Sequence, residues 1–200
     1  MNTDKEKRII EYYDQNAEKW RDLNGGRREV SYWVSEMARF HELLPGGQVL
    51  EIGSGAGNDA YALINLGYEY VGTDASLGLL KVAQERNPQT EFKQVSVYDL
   101  DFPEKSFDGF WCAATLLHLP KDRVDEALQR IKTQIKEGGI GFISMKAGAG
   151  EREDKKTGRF YSYYSKNGFA EVLERNGYKI VEQKRRLGDK EWWLCYWVRI

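Results

Sequence analysis

The run Val49-Leu50-Glu51-Ile52-Gly53-Ser54-Gly55-Ala56-Gly57-Asn58 sets three glycines at alternate positions behind an apolar segment. Glycine tolerates positive φ and has no Cβ, so this run lets a strand turn sharply into a helix and a ligand lie on bare backbone. The spacing is G-x-G-x-G; the dinucleotide fingerprint G-x-G-x-x-G would need glycine or alanine at Asn58. Glu51, at the strand's end, can organise the turn or receive a ligand ammonium. Asp74 lies about 20 residues beyond the turn, the register of an acid that accepts hydrogen bonds from ribose hydroxyls. Its alternative role is the N-cap of the next helix. His118, one of two histidines, follows a later apolar segment. It is a candidate general base or substrate ligand, or else a residue that caps or packs the following helix. His41, in a leucine-bearing helical segment, reads as structural.

These groups need a frame to hold them. Apolar runs at 48–52, 68–73, 90–95, 107–114 and 140–145 read as strands. Helical spacing covers 58–66, 76–86 and 120–136, with Gly138-Gly139 stopping the last. Alternation of this kind implies right-handed crossovers and a mainly parallel, doubly wound sheet with ligands beyond the carboxyl ends of its strands. Two helices, 4–22 and 28–44, precede the sheet, separated by Asn24-Gly25-Gly26. After the fifth strand, Ala147 to Arg159 reads as a charged loop able to act as a lid, with Phe160-Tyr161-Ser162-Tyr163-Tyr164 beside it. A helix over 165–176 and strands over 178–184 and 192–199 follow, the two strands joined as a hairpin by Leu187-Gly188-Asp189. Trp192, Trp193, Tyr196 and Trp197 read as a buried strand and not as a binding surface. The expected organisation is one domain over 1–200: a helical cap (1–44), a ligand-binding core (48–146), the loop (147–164) and a C-terminal helix and hairpin (165–200).

A hydrophobic fraction of 41% and a charged fraction of 30% are those of an ordinary globular chain. Thirty basic residues against 31 acidic ones, net charge −1, disfavour a nucleic-acid partner, and Arg27-Arg28 and Lys184-Arg185-Arg186 read as solvated faces. Residues Met1 to Arg8 carry no signal-peptide core, and no apolar run approaches the roughly 20 residues of a membrane span. A cytoplasmic location is expected, with Cys112 and Cys195 as buried thiols. No ligand spacing suggests a metal site.

From roughly Tyr12 to Tyr178 the chain resembles the class I S-adenosylmethionine-dependent methyltransferases, within them a bacterial small-molecule group. LEIGSGAGNDA, VGTDAS, DLDFPEKSFDGFWCAATLLHLP and KEGGIGFISMK carry the resemblance. It implies a Rossmann-like α/β fold, with a mainly parallel seven-stranded sheet, a C-terminal antiparallel strand and an N-terminal helical cap. It implies S-adenosyl-L-methionine as cofactor, with Glu51, Gly53, Ser54, Gly55 and Gly57 around its methionine part. Asp74 would hold the ribose, with Ala75 and Ser76 beside the adenosine. Where family members commonly place an acid for the adenine amino group, this chain has Ser96, followed by Val97, whose N–H can face the ring; Asp99 is a nearby substitute.

The segment from Ala113 to His118 resembles the one that faces the transferable methyl. Tyr12, Tyr13, Asn16, Ala17 and Trp20 resemble the family's variable cap, Trp20 as a packing residue. Tyr12, Tyr13, His118, Tyr161 and Tyr163 are the expected substrate-side residues. The expected activity is methyl transfer to a small molecule. Its rivals are a nucleotide-linked dehydrogenase, a non-catalytic cofactor-binding regulator and a protein or RNA methyltransferase. No Asp/Asn-Pro-Pro-Tyr run follows the fourth strand and no proline precedes Cys112, which argues against methylation of DNA bases.

Overall fold

Every residue of β1 (Gln48–Ile52) after the first is buried, the pattern of a central parallel strand covered on both faces. The computed structural model describes residues 3–21, 31–189 and 191–200 and builds the sheet outward from this strand. Before it come α1 (Asp4–Gln15), α2 (Glu18–Arg21) and α3 (Val34–Leu43). After it come α4 (Ala60–Asn65), β2 (Glu69–Asp74), α5 (Leu77–Arg86), β3 (Glu91–Gln94), β4 (Phe107–Cys112) and α6 (Val124–Gln134). The chain continues through β5 (Ile135–Ala147), β6 (Glu151–Glu153), β7 (Phe160–Tyr164), α7 (Lys166–Arg175), β8 (Lys179–Leu187) and β9 (Trp192–Arg199).

Strands β3, β2, β1, β4 and β5 lie side by side and parallel. On the far side of β5, β9 pairs antiparallel from Ile140↔Arg199 to Lys146↔Trp193, and β8 pairs with β9 at the edge. These seven strands form the expected mainly parallel sheet with its antiparallel C-terminal strand. Two more strands extend it. β7 runs parallel to the last residues of β5, at Lys146↔Tyr163 and Ala147↔Tyr164, and β6 pairs antiparallel with β7. The segment read as a loop over 147–164 is therefore largely a hairpin. Its charged first half obscured the β-prone run Phe160–Tyr164, which is buried except at Tyr163.

Three boundaries also differ from the reading above. The first helix stops at Gln15, because the Asn16 side chain donates to Tyr12 O at 2.8 Å and competes with continued helix. The second helix, read over 28–44, is helical from Val34, with residues 32–33 in a turn; the Asn24-Gly25-Gly26 break lies outside the described residues. Gly138-Gly139 does not stop the last crossover helix; β5 runs through both glycines, and a register shift between Phe107 and Gly109 absorbs the irregularity.

One apolar layer packs α6 and α7 on the sheet through Phe110, Leu128, Ile143, Phe169 and Tyr196. The other packs α3 through Phe40, Trp111, Phe142 and Trp197, with Trp111 and Phe142 stacked at 4.1 Å. Each such side chain contributes about 1.5–3 kcal/mol by leaving water. Cys112 and Cys195 are buried free thiols, and burial pushes both up to about 12. His41 Nδ1 lies 3.3 Å from the Tyr68 hydroxyl, a structural role. Tyr196 and Trp197 are buried as expected, but Trp192 is exposed and Trp193 only partly covered, so the aromatic strand is buried at its end and not at its start. Gly141 of β5 faces the Phe110 ring, and a Cβ there would overlap it. Gly141→Ala is therefore expected to destabilise the protein by about 1–3 kcal/mol, read as a lower urea midpoint at unchanged slope.

Candidate functional site

The carboxyl ends of β1, β2 and β4 open onto a cleft of about 710 Å³. That volume falls in the ~300–1,000 Å³ range of small-molecule sites. Gly53, Gly55 and Gly57 have φ of +72°, +54° and +70°. A Cβ on Gly53 would strike Thr115, and one on Gly57 would strike Asn87, whose side-chain amide donates to Gly57 O at 3.2 Å. Nothing occupies the corresponding space at Gly55, so there the bare backbone faces the open cleft.

Gly55 N–H donates to Asp74 Oδ2 at 2.9 Å, and Ser76 N–H donates to Oδ1 at 2.8 Å. The cap of α5 is Ser76, whose Oγ accepts from Leu79 N–H at 3.1 Å. That removes the N-cap alternative for Asp74. Burial pushes the Asp74 carboxyl up to about 6, opposed by the Ser76 and Gly55 hydrogen bonds. Glu51 accepts the Tyr70 hydroxyl in the sheet interior. Burial, and after it the charge of Asp59, raise its carboxyl well above the usual range.

At the other end a short 3-10 turn, Leu116–His118, carries the histidine. His118 Nδ1 lies 2.9 Å from Phe160 O, and Nε2 lies 2.9 Å from the Tyr13 hydroxyl. A carbonyl only accepts, so Nδ1 holds the proton and Nε2 accepts from Tyr13. Burial lowers the imidazole to about 3, with the charges of Arg159 and Lys146 adding to the effect. Burial raises the Tyr13 phenol. The Tyr13 oxygen also accepts from Arg159 Nη1 at 3.3 Å. Lys146 pairs with Glu191 at 2.9 Å and sits 3.9 Å from the Tyr161 ring centroid.

Glu51, Gly53, Ser54, Gly55, Asp74, Ala75 and Ser76 line the cleft's glycine end, with Ser96, Val97 and Ala113 beside them. Tyr13, His118 and Tyr161 line the other end. Gly57 lies behind the turn, against Asn87. Tyr12 does not reach the cleft; it meets Tyr13 edge-on at 5.6 Å. Tyr163 opens instead on a neighbouring pocket, under the Arg152 guanidinium. Asp99 is exposed and stands outside the wall.

Sequence reasoning missed Glu6, Ile9, Trp20, Lys146, Arg159 and Trp193, all of which line the cleft. For α1 a signal existed, since Glu6, Ile9 and Tyr13 recur at helical spacing on one face. Lys146, Arg159 and Trp193 meet only through sheet pairing and left no local pattern.

A family model described as a methyltransferase domain matches residues 49–139, from β1 into β5. The crystal structure of 1,6-didemethyltoxoflavin-N1-methyltransferase from Burkholderia thailandensis, with bound 1,6-didemethyltoxoflavin and S-adenosylhomocysteine, superposes with a TM-score of 0.79. The match covers 100% of this chain and 91% of that one at 22% identity. Residues 49–139 thus resemble a methyltransferase domain, and the superposition shows that the whole chain shares that fold. The ubiquinone biosynthesis O-methyltransferase of Xanthomonas campestris pv. campestris is 28% identical over 141 residues. That match covers 64% of this chain and 56% of the relative, so the chain spans a little over half the length of such a curated relative. The same fold also serves the cyclase SpnF, at TM-score 0.74 and 18% identity over 96% of this chain and 95% of that one.

The neutral state of His118 has a direct spectroscopic consequence. Its ring resonances are expected to stay flat from about pH 5 to 8 with the Nδ1–H tautomer, where an ordinary imidazole titrates near ~6.5. Nitrogen-edited NMR on the labelled protein reads this; a midpoint inside that window would break the assignment.

Proposed function

We propose that this protein transfers a methyl group from S-adenosylmethionine to a small, ring-bearing acceptor. What carries the reading is that one cleft joins the Gly55–Asp74 turn at one end to the Tyr13–His118 pair at the other. The cofactor's fit rests on groups in the wall. Ser54 Oγ and Trp20 Nε1 are buried and without a hydrogen-bond partner among the described residues, and both line the cleft. Two such donors suit the methionine carboxylate. Asp74 keeps acceptor capacity beyond its two backbone donors, which suits a ribose diol. The open backbone at Gly55 lets the ligand approach closely.

The bound cofactor supplies a methyl group on a positively charged sulfur. The protein's part is alignment and the acceptor's proton. Tyr13 directs its own proton to His118 Nε2, so its oxygen can take an O–H or N–H hydrogen bond from the acceptor. As the acceptor atom gains the methyl, its proton passes to the Tyr13 oxygen and the phenolic proton moves to Nε2. With the imidazole lowered to about 3, His118 is a weak base, so the proton moves as the methylated atom becomes acidic and not before methyl transfer. The aromatic walls Tyr13, Tyr161 and Trp193 favour a planar ring, in keeping with the relative named for ubiquinone biosynthesis.

Two experiments test the reading. Calorimetric titration should show saturable binding of S-adenosylmethionine and S-adenosylhomocysteine but not NAD, weakened about 10- to 100-fold in Asp74→Asn through lost charge-assisted bonds. The ribose hydroxyls stabilise the carboxylate, so affinity is expected to be full above about pH 6 and to fall below it, with that slope absent from Asp74→Asn. Preference for NAD would end the proposal. Once an acceptor is found by methyl release, Tyr13→Phe should lower kcat about 10- to 100-fold with little change in cofactor affinity, at or under the ~10²–10⁴ of full acid–base catalysis.

A further inference from the structure

We infer that the methyl acceptor carries an acidic group and that Arg159 binds it; this rests on the proposed use of the cleft as an acceptor site. Arg159 opens the approach to β7 and is only partly exposed. Its guanidinium lies 5.0 Å from the Tyr12 ring centroid, 5.5 Å from Trp20 and 5.4 Å from Tyr161. Nε donates to Thr157 Oγ1 at 3.2 Å and Nη1 to the Tyr13 hydroxyl at 3.3 Å, while Nη2 has no protein acceptor among the described residues.

No carboxylate of the described residues reaches ion-pair distance of this guanidinium, unlike the other part-buried cations near the cleft. Lys146 has Glu191 at 2.9 Å, and Arg123 has Glu6 at 2.9 Å. Asp154, whose charge does reach Arg159, stays beyond ion-pair distance and turns its Oδ1 to Lys156 N–H, Thr157 N–H and the Thr157 hydroxyl. Through Thr157 it orients the guanidinium without neutralising it. The hairpin thus holds a cation without an ion-pair partner among the described residues against aromatic faces in the cleft wall, with Nη1 on the Tyr13 oxygen.

A guanidinium so presented matches a carboxylate in plane and in spacing, and the surrounding rings match an aromatic body. Because Nη1 also touches the Tyr13 oxygen, the acidic group lies next to the atom to be methylated. The substrate class is a planar aromatic acid with its nucleophilic heteroatom adjacent to the acidic group. The cofactor's own carboxylate is the other possible source of an anion here, and the test separates the two.

The full chain is first saturated with S-adenosylhomocysteine, followed by calorimetry. Failure at this step removes the methyltransferase reading itself. The saturated protein is then titrated with 2-hydroxybenzoate and 4-hydroxybenzoate, and with the corresponding amides. The acids are expected to bind at least about tenfold tighter than the amides, the 2-hydroxy acid best. Arg159→Gln should erase that preference and Arg159→Lys should keep part of it, with S-adenosylhomocysteine affinity changed less than about threefold in both. Equal binding of acids and amides, no binding of either acid, or a preference that survives Arg159→Gln would overturn the inference. A loss confined to S-adenosylhomocysteine would also overturn it and place the guanidinium on the cofactor.

Discussion

The bond from Gly55 N–H to the Asp74 carboxylate ties the turn after β1 to the end of β2, and most of the site is placed relative to it. Parallel register sets Ile52 beside Thr73, so the two strand ends finish together and the turn meets the acid without adjustment. A hydrogen bond to a charged group contributes about 1.5–3 kcal/mol, enough to fix a glycine turn that would otherwise sample many conformations. Ser76, one step further, both donates its N–H to Asp74 and caps α5. Asp14 then accepts from Ser76 Oγ at 2.6 Å and from Gly78 N–H at 2.8 Å, which docks the end of α1. Tyr13 reaches His118 because of this chain of contacts.

The other end of α1 is held differently. Glu6 is buried, accepts the Tyr98 hydroxyl and pairs with Arg123, whose guanidinium lies 3.8 Å from the Tyr98 ring centroid. Removing one member would leave an uncompensated charge at the helix start, at a cost of about 3–5 kcal/mol. Two acids on one short helix thereby fix both its ends, and the face between them, Ile9, Ile10 and Tyr13, forms part of the cleft wall.

How much the sequence disclosed depended on range. The glycine turn and Asp74 were legible because their chemistry is written in a few adjacent residues, and the central strands because burial on both faces demands unbroken apolar runs. His118 was legible as a candidate, but the occupied lone pair on Nε2 was not, since it depends on Tyr13 and Phe160, far away in the chain. Trp20 looked like a packing residue because its indole sits in an amphipathic pattern; its unpartnered N–H emerges only when the wall is assembled. Arg159 was hidden within a run of charges that resembles a solvated loop, and only strand pairing turns it toward aromatic rings. Gly138-Gly139 misled for the opposite reason: local chemistry suggested a stop, and the pull of sheet pairing overrode it.

The position of β9 bears on how this chain is made. Between β5 and β8 it fills an inner place in the sheet, yet it comes from the last stretch of the described chain. While a ribosome is still producing α7 and β8, the outer edge of β5 carries open hydrogen-bonding groups along an apolar strand, a template for pairing with other nascent chains. The sheet can close only after residues 192–199 emerge, so folding of the domain is deferred to the end of this segment's translation. Through that interval the unpaired edge of β5 is open to pairing with other chains.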